Sequence, residues 1–337
     1  MSAKTMKAMQ FISPAPAEEE PLALNEVPVP EPGRGQVRIQ VKLCGVCHTD
    51  LHIVEGDIQP ARTLIIPGHQ VVGEIEATGK TVGKFDIGDR VGVPWLYDAC
   101  GECEFCDRGQ ENLCRRARFT GFSVDGGFAE YMIAEARYTL PLPPGITDRQ
   151  AAPLLCAGII GYRSLHQAEF SPGQRLGLIG FGASAHLTIQ VALDQDAEVY
   201  VFTRSEEHRE HARSLGAAWV GGIEDDAPAD MDSAIIFAPA GRLVPRVLEK
   251  LRPGGTLAIN AIHMSPIPEM PYRLIYGERT MRSVANATYR DGVEFLQRAA
   301  EIPVRATTTL YALQDANQAL LDIKNSAING EAVLEMR

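Results

Sequence analysis

The sequence predicts an α/β chain of two domains, a mostly β part followed by a parallel α/β part. Three observations predict it. The first third is rich in Val, Ile and Gly, in short runs broken by turn residues. From Pro172-Gly173 onward, strand-like runs alternate with helical stretches, the pattern of right-handed crossovers and a parallel sheet. The length, 337 residues, suits two domains of ordinary size.

Taken in order, the early strands are Gly35–Lys42, Val71–Ala77 and Asp89–Val93, punctuated by Pro32-Gly33, Gly83 and Gly88-Asp89. They predict a small antiparallel barrel or sandwich with few helices. The second part opens with a buried-strand run, Arg175–Gly180, a glycine turn and a helix over Ala183–Asp194. A strand (Glu198–Thr203), a charged helix (Glu206–Leu215), a strand (Ser233–Phe237), a helix (Leu243–Leu251) and a strand (Thr256–Asn260) follow. The last fifty residues hold a helix (Asp291–Ala300), a β-prone run (Thr307–Tyr311) and a helix (Asp315–Lys324). On pattern alone they could complete either part.

Composition narrows the function classes. The chain is 45% hydrophobic and 22% charged, with a formal net charge of −11. An acidic chain without a Lys/Arg block argues against nucleic acid or an anionic membrane as partner. No apolar run is long enough to span a bilayer, and no signal-peptide core follows Lys4 and Lys7. A cytoplasmic location is the expectation. Seven cysteines, an odd number, suit a reducing compartment better than a disulfide framework.

Four of the seven, Cys100, Cys103, Cys106 and Cys114, fall within fifteen residues. Cys-x2-Cys-x2-Cys-x7-Cys is metal-ligand spacing. Four thiolates complete a tetrahedral zinc and leave no open position, so this ion would be structural. Free thiols among Glu102, Glu104 and Asp107 would be a liability. An iron–sulfur cluster also takes four cysteines, but no Cys-Pro ferredoxin run follows.

A second group is spread more widely. Cys44-Gly-Val-Cys47-His48-Thr49-Asp50-Leu51-His52 precedes Gly68-His69-Gln70, and Cys156 lies far downstream. Singly, each histidine reads as a hydrogen-bonded structural residue and each cysteine as packing. The Arg175–Gly180 strand leads into Gly180-Phe181-Gly182-Ala183-Ser184-Ala185, a Gly-x-Gly-x-x-Ala form of the dinucleotide fingerprint. Gly180 makes the turn, Gly182 lets the backbone approach a pyrophosphate, and Ala185 keeps the helix close to the sheet. The next strand ends in Thr203-Arg204-Ser205, with no acid where a ribose clamp is expected. Thr203 and Ser205 can donate to phosphate and Arg204 can pair with it, so NADP is favoured over NAD. His263 lies past the Thr256–Asn260 strand, where a structural role is as good a reading as a functional one.

With these motifs in this order, the chain resembles the zinc-dependent medium-chain alcohol dehydrogenases along essentially its whole length. The resemblance implies a GroES-like catalytic domain over residues 1–156, completed by 287–337, with a Rossmann dinucleotide-binding domain over 157–286. It implies a catalytic zinc on Cys47 (not Cys44), His69 and Cys156, a ligand set known for alcohol dehydrogenase, and therefore two zinc ions per chain. The fourth position stays open, and zinc acts there as a Lewis acid on the alcohol while hydride leaves for the nicotinamide. Thr49 would take the proton first, the cofactor ribose relay it, and His52 release it to solvent. Asp50 would orient His69, and His48 would lie against the pyrophosphate. Small alcohols or aldehydes are the implied substrates. Trp95 and Leu96 would line a narrow pocket, and a homo-oligomer, dimer or tetramer, is expected. A polyol or amino-alcohol dehydrogenase is the runner-up. A nucleotide-sensing relative without catalysis is the alternative of another class. Two departures stand out. Glu usually follows the ligand histidine, but here it is Gln70, which predicts a less negative zinc site. Glu331 falls in a segment where relatives often place a basic cofactor contact.

Overall fold

The computed structural model describes residues 4–60, 62, 64–302, 304–328 and 330–336. The chain divides into two units, one of Met1–Cys156, Asn286–Ala300 and Arg305–Arg337, the other of Ala157–Ala285 and Glu301–Val304. Among the described residues, no helix is long and apolar enough to cross a membrane.

The first unit is built on Gln36–Val46, the longest strand. Antiparallel partners flank it: Gln70–Thr78 on one side, Glu331–Glu335 and Tyr131–Glu135 on the other. The sheet continues through Arg90–Val93 to Leu140–Pro141 at one end, and at the other through Thr308–Ala312, which pairs parallel with Glu331–Glu335. Alternation decides which face is buried: Val37, Ile39 and Val41 point into a core shared with Val71, Ile75, Phe128 and Met132. The last strand belongs here by register, Ala332 opposite Val46 and Leu334 opposite Cys44. The chain terminus thus reaches the sheet that carries the cysteine motif. An N-terminal hairpin, Thr5–Phe11 with Leu22–Pro28, adds Met6, Ala8, Met9 and Phe11 to the same core.

Sequence patterning predicts few helices in this part, and two of those observed, His48–Glu55 and Asp148–Pro153, carry the site. His48–Glu55 is helical, stopped by Gly56 in the left-handed region (φ 84°). Asp148–Pro153 runs into a π-helical turn, Leu154–Gly158, that carries Cys156, and the helix Ile159–Gln167 that follows it along the chain belongs to the second unit. Pro153 lacks the N–H of a regular turn, and π turns gather at functional sites.

The second unit is a six-stranded parallel sheet. Its order is Trp219–Gly221, Glu198–Phe202, Arg175–Ile179, Met231–Ile236, Leu251–Ile259 and Thr280–Ser283. Numbered along the chain, this is the 3-2-1-4-5-6 order of a doubly wound dinucleotide-binding fold. Its central strands are apolar on both faces, with Leu176, Leu178, Val199, Val201 and Ile235 buried on one and Ile179, Tyr200, Phe202 and Ile236 on the other, as helices on both sides require. The Rossmann and GroES-like fold class expected from the sequence is the one observed.

Candidate active site

The metal motif is organised by a helix start. Cys47 is the N-cap of His48–Glu55; its Sγ accepts from Thr49 N at 3.3 Å, and Asp50 Oδ2 accepts from Cys47 N at 3.0 Å. This reciprocal cap fixes the Cys47 thiol at the mouth of the helix, where the dipole favours a thiolate. Opposite it, Gly68 takes a φ of 95°, and a side chain there would collide with Phe128 and Cys44. The turn it makes delivers His69, 1% exposed.

His69 Nε2 lies 3.5 Å from Cys47 Sγ and 3.4 Å from Cys156 Sγ. On one tetrahedral zinc, a histidine nitrogen and a thiolate stand about 3.5 Å apart. The three donors therefore converge at the spacing such an ion sets, all within 4.8 Å of one another. The other ring nitrogen, Nδ1, faces Asp50 Oδ1 at 3.2 Å, and that oxygen also accepts from Gly68 N at 3.2 Å. Asp50 is fully buried. Its carboxylate thus holds the ring in one orientation, with Nε2 toward the thiols.

The protonation balance fits a cation site. A hydrogen bond from the Cys156 thiol and the neighbouring His69 charge hold Cys47 well below an ordinary thiol. The same bond and burial push Cys156 up. Burial disfavours a charged His69, but Asp50 and Cys47 more than offset it and raise its pKa.

The lobe cysteines also converge. Cys103 and Cys106 sulfurs are 3.6 Å apart, Cys100 and Cys106 3.8 Å, and Cys100 and Cys114 3.5 Å. Thiolates on one tetrahedral zinc stand about 3.8 Å apart. An iron–sulfur cluster, with one cysteine on each of several irons, would spread them further. The backbone N–H of Glu102 and the Cys114 thiol draw Cys100 down to about 6.

Around the first cluster, Thr49 is half-buried and His48 exposed on the first helical turn. His52 lies one turn on from Thr49, its Nδ1 2.8 Å from Asp57 Oδ2. Sequence reading missed Asp57, although it sits just past the Gly56 helix stop. The Trp95 ring meets His69 edge-on at 5.0 Å and stacks on Phe119 at 5.1 Å. Its indole donates to Asn286 Oδ1 at 3.1 Å. Leu96, by contrast, is 4% exposed in a strand paired to Phe119. Phe119 and Asn286 carry no sequence signal of their own, because only the fold brings them to Trp95.

The two departures from the family pattern turn out to be one feature. Gln70 is fully buried and Glu331 3% exposed. With the Gln70 amide oriented to suit its neighbours, its nitrogen donates to Glu331 Oε2 at 2.9 Å and to Ala152 O at 3.2 Å. Beside Gln70, whose neutral amide predicts a less negative zinc site, the last strand therefore places a carboxyl, which burial and the charges of Cys47 and Asp50 push well above the ordinary carboxylate range.

In the second unit, Gly180 turns with φ 87° and donates to Phe202 O at 2.8 Å. A side chain on Gly180 would come within 3.0 Å of Ala238 N, whereas one on Gly182 would meet nothing. Gly182 caps the helix Ala183–Leu193 without a side-chain partner, so the helix N–H groups face open space. Ala185 is fully buried, as close helix–sheet packing needs. Phe181 is also buried, edge-on to His211, and can offer a ligand only its backbone. At the second strand end, Thr203 N is bonded to Gly221 O and Ser205 Oγ caps the next helix by accepting from His208 N. Arg204 is exposed. Glu206 pairs instead with Arg213 at 3.0 Å and Arg209 at 3.4 Å. His263 is exposed beyond its strand.

Comparison with known proteins identifies the family. Residues 33–144 match the alcohol dehydrogenase GroES-like domain family. A probable alcohol dehydrogenase of Mycobacterium tuberculosis is 47% identical over 98% of this chain and 97% of its own length. An alcohol dehydrogenase of Geobacillus stearothermophilus is 34% identical over 94% and 97%. Among solved structures, a cinnamyl alcohol dehydrogenase from Sorghum bicolor superposes with a TM-score of 0.90 at 28% identity, covering 98% of each chain. With a nucleotide fold, a zinc-type donor cluster and near-full-length relatives in agreement, the chain belongs to the zinc-dependent medium-chain alcohol dehydrogenases.

Proposed function

We propose that Cys47, His69 and Cys156 hold the catalytic zinc of this alcohol dehydrogenase. On the same reading, Cys100, Cys103, Cys106 and Cys114 hold a structural zinc, giving two ions per chain, and NADP is the preferred cofactor. The observation that carries the reading is the convergence of His69 Nε2 on both Cys47 and Cys156 with Nδ1 held by Asp50. When bound, zinc supplies a Lewis acid that makes an alcohol hydroxyl acidic near neutral pH, and the nicotinamide accepts the hydride.

The protein's own groups do the rest. Cys47 and Cys156 offer two thiolates, enough to neutralise a dication, and three protein donors leave a tetrahedral position for substrate. Thr49 Oγ accepts the hydrogen bond of the alcohol hydroxyl and, as it takes that proton, gives up its own along the path to His52. His52, with Nδ1–H donated to Asp57, keeps Nε2 free as the base that passes the proton to solvent. Trp95 and its Phe119 stack wall the His69 side and favour a small alcohol or aldehyde. Gly180, Phe181, Gly182 and Ala183 present backbone N–H groups to the pyrophosphate, with His48 as a further contact. Thr203, Arg204 and Ser205 meet a 2′-phosphate, and pairing of Glu206 with Arg209 and Arg213 leaves Arg204 available. A division at 1–156, 157–286 and 287–337, a cytoplasmic location and a dimer or tetramer complete the proposal. The deciding experiment is elemental analysis of purified protein with an alcohol and aldehyde panel run on each cofactor. Two zinc per chain and higher kcat/KM with NADP(H) are expected; one zinc or none overturns the metal assignment.

A further inference from the structure

The polar side chains behind the metal cluster include one that the family mechanism does not use. Glu331 is 3% exposed, and its Oε1 is buried with no hydrogen-bond partner. Its Oε2 accepts one bond, from Gln70. A buried carboxyl with half its acceptor capacity unmet is costly unless a cation compensates it. Burial, reinforced by the charges of Cys47 and Asp50 and opposed by His69, pushes its carboxyl well above the ordinary carboxylate range, and Glu331 in turn acts on Cys156; a dication on the cluster is the group that would hold it ionised.

The sheet explains how it gets there. Ala332 pairs with Val46, so Glu331 comes into register at the Cys47 end of the central strand. Gly45 is paired with Val333 on one side and Gln70 on the other. A side chain on Gly45 would come within 2.8 Å of Gln70 Oε1. The bare backbone there lets Gln70 lie across the strand to reach Glu331, two strands away.

We propose that Glu331 is a positioning residue of the catalytic metal site, whose carboxyl, held by Gln70 across Gly45, adds to the hold of the two thiolates on the divalent cation. This rests on the zinc assignment to Cys47, His69 and Cys156. The acid of the pair thus stands on the last strand, and Gln70, next to the ligand histidine, is its amide partner.

The test is metal retention by the holoenzyme, followed as release of each zinc to EDTA with a colorimetric zinc indicator. The visible spectrum of cobalt-substituted protein reports the geometry of the open site. E331Q, a neutral isostere, should release the catalytic zinc about tenfold faster, the lower end of the effect of groups that support metal ligands. The four-cysteine zinc should leave at the wild-type rate and serves as the internal control. E331D, which keeps the charge, should retain zinc better than E331Q. The exchange Q70E/E331Q, which returns the acid to position 70, should restore release to within about threefold of wild type, since the charge stays in the same pair of side chains. Wild-type release and an unchanged cobalt spectrum in E331Q overturn the inference, as does an exchange variant no better than E331Q. If wild type itself holds only the four-cysteine zinc, the ligand assignment fails and the inference with it, an outcome distinct from the other two. Thermal melting of each variant separates metal loss from misfolding.

Discussion

The nucleotide-binding unit carries an acid sensitivity in His186, on the helix that follows the fingerprint. The ring is 3% exposed, its Nε2 has no partner, and His211 lies 5.7 Å away, centroid to centroid. Burial, reinforced by a like charge on His211, lowers its pKa to about 4. The unfolded chain has the ordinary value of about 6.5. Between those values the unfolded state binds more protons than the folded one, so stability falls as pH falls through that window. The loss levels off below the folded value, at about 3 kcal/mol in all. Linkage gives about 2 kcal/mol lost between pH 7 and pH 5, which for a unit of this size is about 4–8 °C in Tm. The perturbation is His186→Leu, similar in volume and unable to titrate. The assay is differential scanning calorimetry of both proteins with zinc present, from pH 7 to pH 5. Acid effects on the cysteine sites are common to both and cancel. The wild type should drop by those additional degrees relative to the variant. Parallel melting curves across the range would refute the argument, and so would a His186 ring signal titrating near 6.5 by NMR.

Three further outcomes are expected. Cys103→Ser should release one zinc and lower Tm, whereas Cys156→Ser should abolish turnover and leave melting largely intact; metal analysis with calorimetry checks both, and the reverse pattern would exchange the two roles. Thr49→Ala should lose most of kcat, about 10²-fold or more. His52→Gln should lose less and recover with added buffer base, so a Thr49→Ala enzyme with wild-type turnover would end the proton-path assignment. Thr203→Asp with Arg204→Ile should shift the ratio of kcat/KM for NADPH over NADH by about tenfold or more toward NADH, because a carboxylate repels a 2′-phosphate; an unchanged ratio would show that this strand end does not select the cofactor.

Much of this molecule was legible because its chemistry is local. The lobe cysteines announce themselves by spacing, since a short loop must return four sulfurs to one point. The fingerprint announces itself because the turn after Ile179 demands a glycine with positive φ and the helix demands a small residue at Ala185. Four of the six strands of the second unit coincide with apolar runs, as buried parallel strands do, whereas the short edge strands Trp219–Gly221 and Thr280–Ser283 are only partly buried and carry no such run. The first unit was harder. The helix His48–Glu55 has no amphipathic stripe and is held by its cap and by its place against the sheet, so periodicity passed over it. The N-terminal hairpin and the π-helical turn at Cys156 were invisible for a related reason, namely that tertiary packing sets them.

The pair formed by Gln70 and Glu331 marks where sequence reading stops for a physical reason. The two residues are 261 positions apart, and neither is unusual beside its chain neighbours. Gln70 opens an apolar strand, and Glu331 opens another after Gly330. Read singly, the first removes a charge from the metal site and the second places a charge where a base is expected. Only the register of three strands, with Gly45 between them, joins the two observations. Charge at a buried site is a property of the whole shell, because in low dielectric a carboxylate acts at a distance that spans neighbouring strands. A substitution beside a ligand therefore fixes the site's electrostatics only together with whatever the opposite strand presents.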